Sequence, residues 1–337
     1  MKLYFNCSFL EEKFIVSDKF KVLQKELKLK KIQNNNASFE VIDVNYNCKW
    51  KQDASWDTDK PCILIPIKDN TKLINTTILN LLGNNILEKA NVVIIDDRST
   101  EDVEQIVNSY QKLSYLRVDN HKGFNFSMLN NIAAKICYEL GNKIVIFWNS
   151  DLWCPKESYY DILMLKHKNN NCIVSGTKLI YPPLKFSLNG EEDTANIKKY
   201  FPDMVNGKWR ETVQFGGGTW YGNNSQHFKR FSKKENSFVN CDRPTTFLTG
   251  AFQIWNLDYF IKLGGFNPSL SKNFQDGDLM LRCIESNICP MYFGKDLFMY
   301  HDESLSLMKE KKDDEQMISD NVLFHKIWNN KIYNLVC

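Results

Sequence analysis

From Pro61 onward, short unbroken apolar runs alternate with stretches of helical period. Cys62-Ile63-Leu64-Ile65-Pro66-Ile67 is apolar at every position, as expected of a strand buried on both faces. A helical pattern follows over 71–82 and stops at Gly83. Asn91-Val92-Val93-Ile94-Ile95 is a second such strand, ending in Asp96-Asp97-Arg98-Ser99-Thr100. Ser99 or Thr100 can cap a helix over 101–110, whose first turn is acidic. Strands over 115–118 and 143–148 flank a helix over about 127–140, and a helix through Lys166 and a strand over 172–175 continue the series. This alternation predicts the α/β class: a mostly parallel central sheet with helices on both faces. Ligands of such sheets bind outside the carboxyl ends of the strands. Asp69, Asp96, Asp97 and Asp151 all fall at such ends, so their shared placement marks the expected site.

The flanks are less regular. Residues 2–16 read as one or two short strands, and Asp18 can cap a helix through Lys31, with Phe20, Leu23 and Leu27 on one face. Asn34-Asn35-Asn36 breaks it, and Trp50, Trp56 and Pro61 fall in a polar linker. Residues 1–60 are thus an N-terminal extension packed on a main domain over 61–310, divided near 180. Residues 181–245 lack clear period, which in a compact domain points to function. They include Phe215-Gly216-Gly217-Gly218-Thr219-Trp220-Tyr221-Gly222, read either as the hinge of a lid or as an ordinary glycine turn. Regular structure resumes over 247–255. A tight turn, Leu263-Gly264-Gly265-Phe266-Asn267-Pro268, then precedes Phe274-Gln275-Asp276-Gly277-Asp278-Leu279-Met280-Leu281-Arg282. There two carboxylates two residues apart lead into an apolar, helix-like run. A C-terminal helix over about 316–328 closes the chain within 311–337.

Composition narrows the function. With 43% hydrophobic and 25% charged residues among 337, the chain is long and apolar enough for a packed core. A formal net charge of only +3, with no dense basic stripe, argues against nucleic acid. The basic stretch Lys25-Glu26-Leu27-Lys28-Leu29-Lys30-Lys31 reads as a solvated helix face rather than a membrane-binding one. No apolar stretch approaches the ~20 residues of a membrane span, and the first residues lack the layout of a signal peptide. Ten cysteines without a Cys-x-x-Cys pair suggest reduced thiols in a cytoplasmic protein.

Five segments in order, over about residues 61–302, resemble the family 2 glycosyltransferases of the Rossmann-like GT-A fold. Ile65-Pro66-Ile67-Lys68-Asp69-Asn70 is similar to the family's opening strand, usually ending Pro-Thr-Tyr-Asn. Val93-Ile94-Ile95-Asp96-Asp97-Arg98-Ser99-Thr100 resembles Val-Asp-Asp-Gly-Ser-Thr, and His121-Lys122-Gly123-Phe124 with Asn130-Asn131 resembles Asn-Lys-Gly-Phe…Asn. Asn149-Ser150-Asp151 falls where the family has Asp-x-Asp. Thr249-Gly250-Ala251-Phe252, Gly264-Gly265-Phe266 and Gln275-Asp276-Gly277-Asp278 match the acceptor half, usually Gly-Gly-Phe-Asp-Glu…Glu-Asp-x-Asp-Leu. Two departures, Asn149 for Asp and Gln275 for Glu, each remove a negative charge.

The resemblance implies an inverting transfer of sugar from a nucleotide-diphospho-sugar, a UDP-sugar, to a hydroxyl of a glycan or glycolipid. The family commonly builds capsule or lipopolysaccharide; the expected location is the cytoplasm, peripheral at the inner face of the cytoplasmic membrane where the acceptor is lipid-linked. Mn²⁺ or Mg²⁺ would offset charge growing on the leaving diphosphate. By position Asp151 and His301 would hold that ion, with Asn149 on the same edge; apart from the resemblance, His301 reads as a loop histidine. Asp276 would be the base that takes the acceptor proton. Asp96, Asp97, Asp69, Pro66 and Ser150 would line the nucleotide, although Asp96 and Asp97 can equally cap a helix. Lys122 would either support the nucleotide or stay exposed. Asp278 would cap its helix or orient Asp276 and substrate hydroxyls. Gly250 would lie on the acceptor side. Trp220, Tyr221, Trp148 and Trp153 would be sugar platforms or core. Two other readings are a non-catalytic nucleotide-sugar or glycan binder, motivated by Asn149 and Gln275, and a sugar-phosphate nucleotidyltransferase. The latter needs a glycine-rich loop where this chain has Lys68-Asp69-Asn70-Thr71.

Overall fold

The computed structural model describes residues 30–33, 38–42, 47–119, 123–183, 209–302, 315–329 and 331–336. In chain order the strands are β1 (Lys30–Gln33), β2 (Ser38–Ile42), β3 (Asn47–Lys51), β4 (Cys62–Ile67), β5 (Asn91–Asp96), β6 (Leu113–Val118), β7 (Ile144–Trp148), β8 (Leu152–Trp153) and β9 (Val174–Thr177). They continue as β10 (Leu179–Ile180), β11 (Val213–Phe215), β12 (Gly218–Tyr221), β13 (Asn224–His227), β14 (Asp242–Pro244), β15 (Phe252–Asn256), β16 (Met291–Phe293) and β17 (Met299–His301). The helices are α1 (Thr71–Gly83), α2 (Val103–Asn108), α3 (Phe126–Glu139), α4 (Glu157–Asn169), α5 (Leu257–Lys262), α6 (Gln275–Glu285), α7 (Glu315–Trp328) and α8 (Ile332–Val336).

The four apolar runs read from the sequence pair side by side. β6, β5, β4 and β7 form a parallel block at the centre of an eleven-stranded sheet ordered β1-β2-β3-β6-β5-β4-β7-β15-β9-β16-β14. Every residue of β4 and β5 is buried, which is why these runs are apolar without alternation. Helix α3 packs against β4, β5 and β7, α2 against β6, and α4 against β9. The α/β fold with a parallel centre is therefore present, and antiparallel strands widen it on both sides.

On one side β3 runs antiparallel to β6, and β2 and β1 follow it outward. Trp50 belongs to β3, is only 2% exposed, and meets Trp56 edge-on with ring centroids 5.8 Å apart. It is thus a core residue of the sheet and not part of a linker. The expected helix does not reach Lys31, because Lys30 and Lys31 already lie in β1. The rest of that helix, and the strands expected over 2–16, lie outside the described residues.

On the other side β15 lies antiparallel between β7 and β9, with Phe252 opposite Trp148. This register brings the start of β15 to the edge where β7 ends. The carboxyl edge of the parallel block therefore also carries the turn before β15. A small sheet ordered β11-β10-β17-β8 crosses the same region, and β12 and β13 form a separate ribbon.

The glycine stretch before Trp220 is closely packed. A Cβ on Gly218 would overlap the Phe247 side chain, and one on Gly216 would overlap Val239 and lie 2.7 Å from the Phe228 carbonyl oxygen. Both positions are buried, so the absence of a side chain serves close packing here.

Candidate active site

Where β7 ends, Asn149 N–H donates to the Ala251 carbonyl across 3.0 Å, tying the acidic turn to the turn before β15. The next residue back, Gly250, donates its N–H to Asp276 Oδ2 at 2.8 Å. Gly277 N–H donates to Asp276 Oδ1, also at 2.8 Å. Asp276 sits in the first turn of α6, where helix amides and the helix dipole favour a carboxylate. Burial works the other way and is the larger influence. It lifts the Asp276 carboxyl above the usual range although the Gly250, Gly277 and its own N–H groups pull it down. A half-buried carboxylate of raised basicity suits proton abstraction.

The same turn reaches the histidine. β8 pairs with β17, setting His301 opposite Leu152. Asp151 Oδ1 and His301 Nε2 then lie 3.2 Å apart, each residue about 5% exposed. His301 Nδ1 faces the Gln214 side-chain oxygen at 3.1 Å, and Gln214 is itself buried. With Nδ1–H donated to that oxygen, the neutral ring would turn its Nε2 lone pair toward a metal beside Asp151, whereas a protonated ring would donate Nε2–H to Asp151. Neighbouring ligands of an octahedral ion with bonds of about 2.1 Å stand about 3.0 Å apart, so this oxygen and nitrogen fit one divalent cation. Among the described residues no group of three His, Cys, Asp or Glu converges, so a metal would need further oxygens from a ligand or water.

The residues expected at the nucleotide are arranged differently. Asp96 is fully buried: Oδ1 accepts from Ser99 N–H at 2.8 Å, and Oδ2 from Tyr115 and from Arg117 Nη1, the latter at 3.0 Å. Both oxygens are turned inward, so Asp96 shapes the loop and does not offer itself to a nucleotide. Asp97 is equally buried, donates its N–H to the Ile67 carbonyl and accepts from Arg98 Nε at 3.0 Å. Asp69 is only half-buried. Its Oδ1 accepts from Thr100 N–H at 2.6 Å, Thr100 Oγ1 at 2.9 Å and Glu101 N–H at 3.2 Å. Burial raises its pKa, but those bonds outweigh it and hold the group below the usual range.

Pro66 is buried in β4 opposite Ile95. Its missing N–H costs little because β7 pairs only with Cys62, Ile63 and Leu64. Ser150 is buried, and its carbonyl accepts from Thr77 Oγ1. Lys122 lies outside the described residues. Arg98 takes φ 50° where the resemblance has glycine, and its Nη2 donates to the Gly123 carbonyl at 3.0 Å.

On the acceptor side, Asp278 is fully buried. Its Oδ2 accepts from Arg282 Nε at 2.9 Å and its Oδ1 from Trp328 Nε1 at 2.8 Å. Both oxygens are engaged within the protein, so the expected contact with substrate hydroxyls is not made. Trp220 is half-buried and stacks on Phe324 at 6.3 Å and 4°. A Cβ on Gly277 would touch the Trp220 ring at 3.6 Å, so this ring borders the residue after Asp276. Trp148 is core, its Nε1 donating to the Leu152 carbonyl at 2.9 Å. Trp153 is likewise buried, whereas Tyr221 is 77% exposed. Gln275 Oε1 is buried with no hydrogen-bond partner.

The acidic turn, the Asp151–His301 pair and the Asp276 turn are joined at one edge of this sheet. The chain belongs to glycosyl transferase family 2, whose model matches residues 62–254. Over 126 residues, 37% of the chain, it is 24% identical to the O-antigen biosynthesis protein RfbC of Myxococcus xanthus. Over 255 residues, 72% of the chain, it is 22% identical to the uncharacterized protein y4gI of Sinorhizobium fredii. These matches span 10% and 24% of the two relatives' own lengths. Among solved structures, S. aureus TarS 1-349 aligns with 82% of this chain and 74% of its own, at 15% identity and TM-score 0.46. The mannosyltransferase PcManGT of Pyrobaculum calidifontis, solved with GDP-Man and Mn2+, aligns with 91% and 76%, at 9% identity and TM-score 0.46. No helix among the described residues is long and apolar enough to cross a membrane.

Proposed function

We propose that the protein transfers a sugar from a nucleotide-diphospho-sugar, a UDP-sugar, to a hydroxyl of a glycan or glycolipid, with inversion at the anomeric carbon. The observation that carries this reading is the Asp276 carboxylate, held by Gly250 N–H at 2.8 Å on a turn bonded to Asn149. Asp276 accepts the acceptor's proton as its oxygen attacks. The Gly250 and Gly277 amides hold the carboxylate in one orientation, and its raised basicity favours the transfer. One base and one displacement give inversion.

Asp151 and His301 would hold Mn²⁺ or Mg²⁺, which when bound stabilises negative charge on a leaving diphosphate. Gln214 fixes the His301 ring for that task. Asp69, half-buried at the end of β4, is the carboxylate best exposed to contact the nucleotide, and the Trp220 ring would pack on a sugar face. The name of the Myxococcus xanthus relative favours a surface polysaccharide as product. Such an acceptor, if lipid-linked, would place the enzyme in the cytoplasm at the inner membrane face.

The test is product stereochemistry, read by proton NMR of the anomeric position, with nucleoside diphosphate released one for one. An α-linked donor yielding an α-linked product would sink the single-displacement reading. A second reading, a binder without catalysis, draws on Asn149 and Gln275. It requires nucleotide binding with no turnover.

A further inference from the structure

Helix α7 buries three residues, Asp320, Phe324 and Trp328, spaced four apart on one face. All three are spent on the segment that carries Asp276. Asp320 Oδ2 accepts from Lys272 N–H at 2.8 Å and from Asn273 N–H at 3.0 Å, while its Oδ1 accepts from Gln316 Nε2 at 2.8 Å. Phe324 stacks on Phe274 with centroids 4.7 Å apart, stacks on Trp220, and would lie 3.5 Å from a Cβ on Gly277. Trp328 Nε1 holds Asp278 at 2.8 Å. The contacts therefore fall on residues 272–274 before Asp276 and on 277–278 after it.

Two further facts make this a device for position. Phe274 takes φ 61°, a left-handed conformation that a bulky residue adopts only when its surroundings impose it. That conformation starts α6 and so sets where Asp276 stands. Asp320 is wholly buried, although an apolar side chain would fill the site without the cost of desolvating a carboxylate. What an apolar residue cannot do is fix two backbone N–H groups. The ion pair of Asp278 with Arg282 extends the grip, because Arg282 Nη1 and Nη2 donate to the Leu263 and Gly265 carbonyls at 2.6 and 2.7 Å.

We infer that α7 is a built-in clamp for the base, with Asp320, Phe324 and Trp328 as positioning residues that fix the Asp276 turn from both sides. This rests on Asp276 being the base. The clamp lies beyond residue 254, where the match to the family model ends. Among the described residues, the ionisable groups on or facing the turn include Lys272, the Asp278–Arg282 pair, Asp320, and the His325 ring 5.9 Å from Phe274.

The test uses the full chain carrying Trp328→Phe, Asp320→Asn or Phe324→Leu, the last leaving every hydrogen bond of the clamp in place. Carbon-13 titration of the Asp276 carboxyl, assigned by its loss in Asp276→Ala, gives a readout independent of the donor. In variants that keep a cooperative unfolding transition, the titration midpoint moves down toward the ordinary carboxylate value as water reaches the turn. Turnover of an active donor falls roughly ten- to a hundredfold, as expected for a misplaced group, and KM for that donor stays within about twofold. A wild-type midpoint and wild-type kcat in all three overturn the clamp. Wild-type kcat in Asp276→Ala overturns the base instead, an outcome the titration does not mimic.

Discussion

Gly250 N–H and Asp276 Oδ2 meet at 2.8 Å across 26 positions of sequence. The bond joins the turn before β15 to the first turn of α6, and Asn149 is bonded to the residue next to Gly250. The turn after β7 and the Asp276 carboxylate thereby share one edge of the sheet.

The first prediction concerns pH. Burial holds the Asp276 carboxyl above the usual range near pH 4. The base works deprotonated, so kcat should fall as pH drops through a value above ~4. The stability term has the opposite sense. The folded state binds this proton more tightly than the unfolded chain, so the group's contribution declines as pH rises between the two values. A pH–rate profile of the wild type checks the first statement. An acidic limb at or below the ordinary carboxylate value would contradict it.

Gln214 should matter to metal without touching it. Removing its side-chain oxygen in Gln214→Ala frees the His301 ring to rotate and to change tautomer. Loss of such a supporting bond typically costs about 10- to 100-fold in metal affinity. Titration of Mn²⁺ in the presence of UDP, followed by calorimetry, should show that weakening. Equal affinities for variant and wild type would remove the ion from this pair.

Gly218→Ala should destabilise the fold. The added methyl would overlap the Phe247 side chain at the buried first position of β12, and overpacking of this kind costs about 1–3 kcal/mol. Urea unfolding of the variant measures it. An unchanged midpoint with altered turnover would favour the hinge.

Lys178 offers a test of the core. It is 1% exposed, its Nζ donates to the Lys234 carbonyl and Asn240 Oδ1 at 2.8 Å each, and burial lowers its pKa to about 8. The folded protein loses this proton before the unfolded chain does. Its contribution to stability should therefore rise with pH from about 8 toward the unfolded value. Unfolding free energies at several alkaline pH values should climb less steeply in Lys178→Met than in the wild type.

Much of this fold is written in the apolar pattern. The runs over 62–67 and 91–95 become β4 and β5 because full burial demands uninterrupted apolar residues. The later strands are harder to read. β15 is largely buried like its parallel neighbours yet runs antiparallel between β7 and β9, a direction its own residues do not encode. Trp50 looks like a linker residue because its neighbours Lys49 and Lys51 are polar, but alternation is what a strand at the flank of a sheet shows.

At the site, the family resemblance singled out Asp151, His301 and Asp276 but gave no hint of the residues that hold them. Gln214, Asp320 and Trp328 lie 87, 48 and 50 positions from the segments they hold. Contacts of that range leave no local period. Asp96 and Asp278 misled for the opposite reason: an acidic residue near a strand end or helix start looks alike whether it faces solvent or, as here, a buried arginine, tyrosine or tryptophan.

The most direct measurement compares nucleoside diphosphate release by the wild type and Asp276→Ala across a panel of UDP-sugars and GDP-mannose with Mn²⁺. The wild type should turn over at least one donor. The variant should lose about 10²–10⁴-fold in kcat while UDP with Mn²⁺ still raises its unfolding temperature. Equal release by both proteins, or release by neither across the panel, would contradict the account.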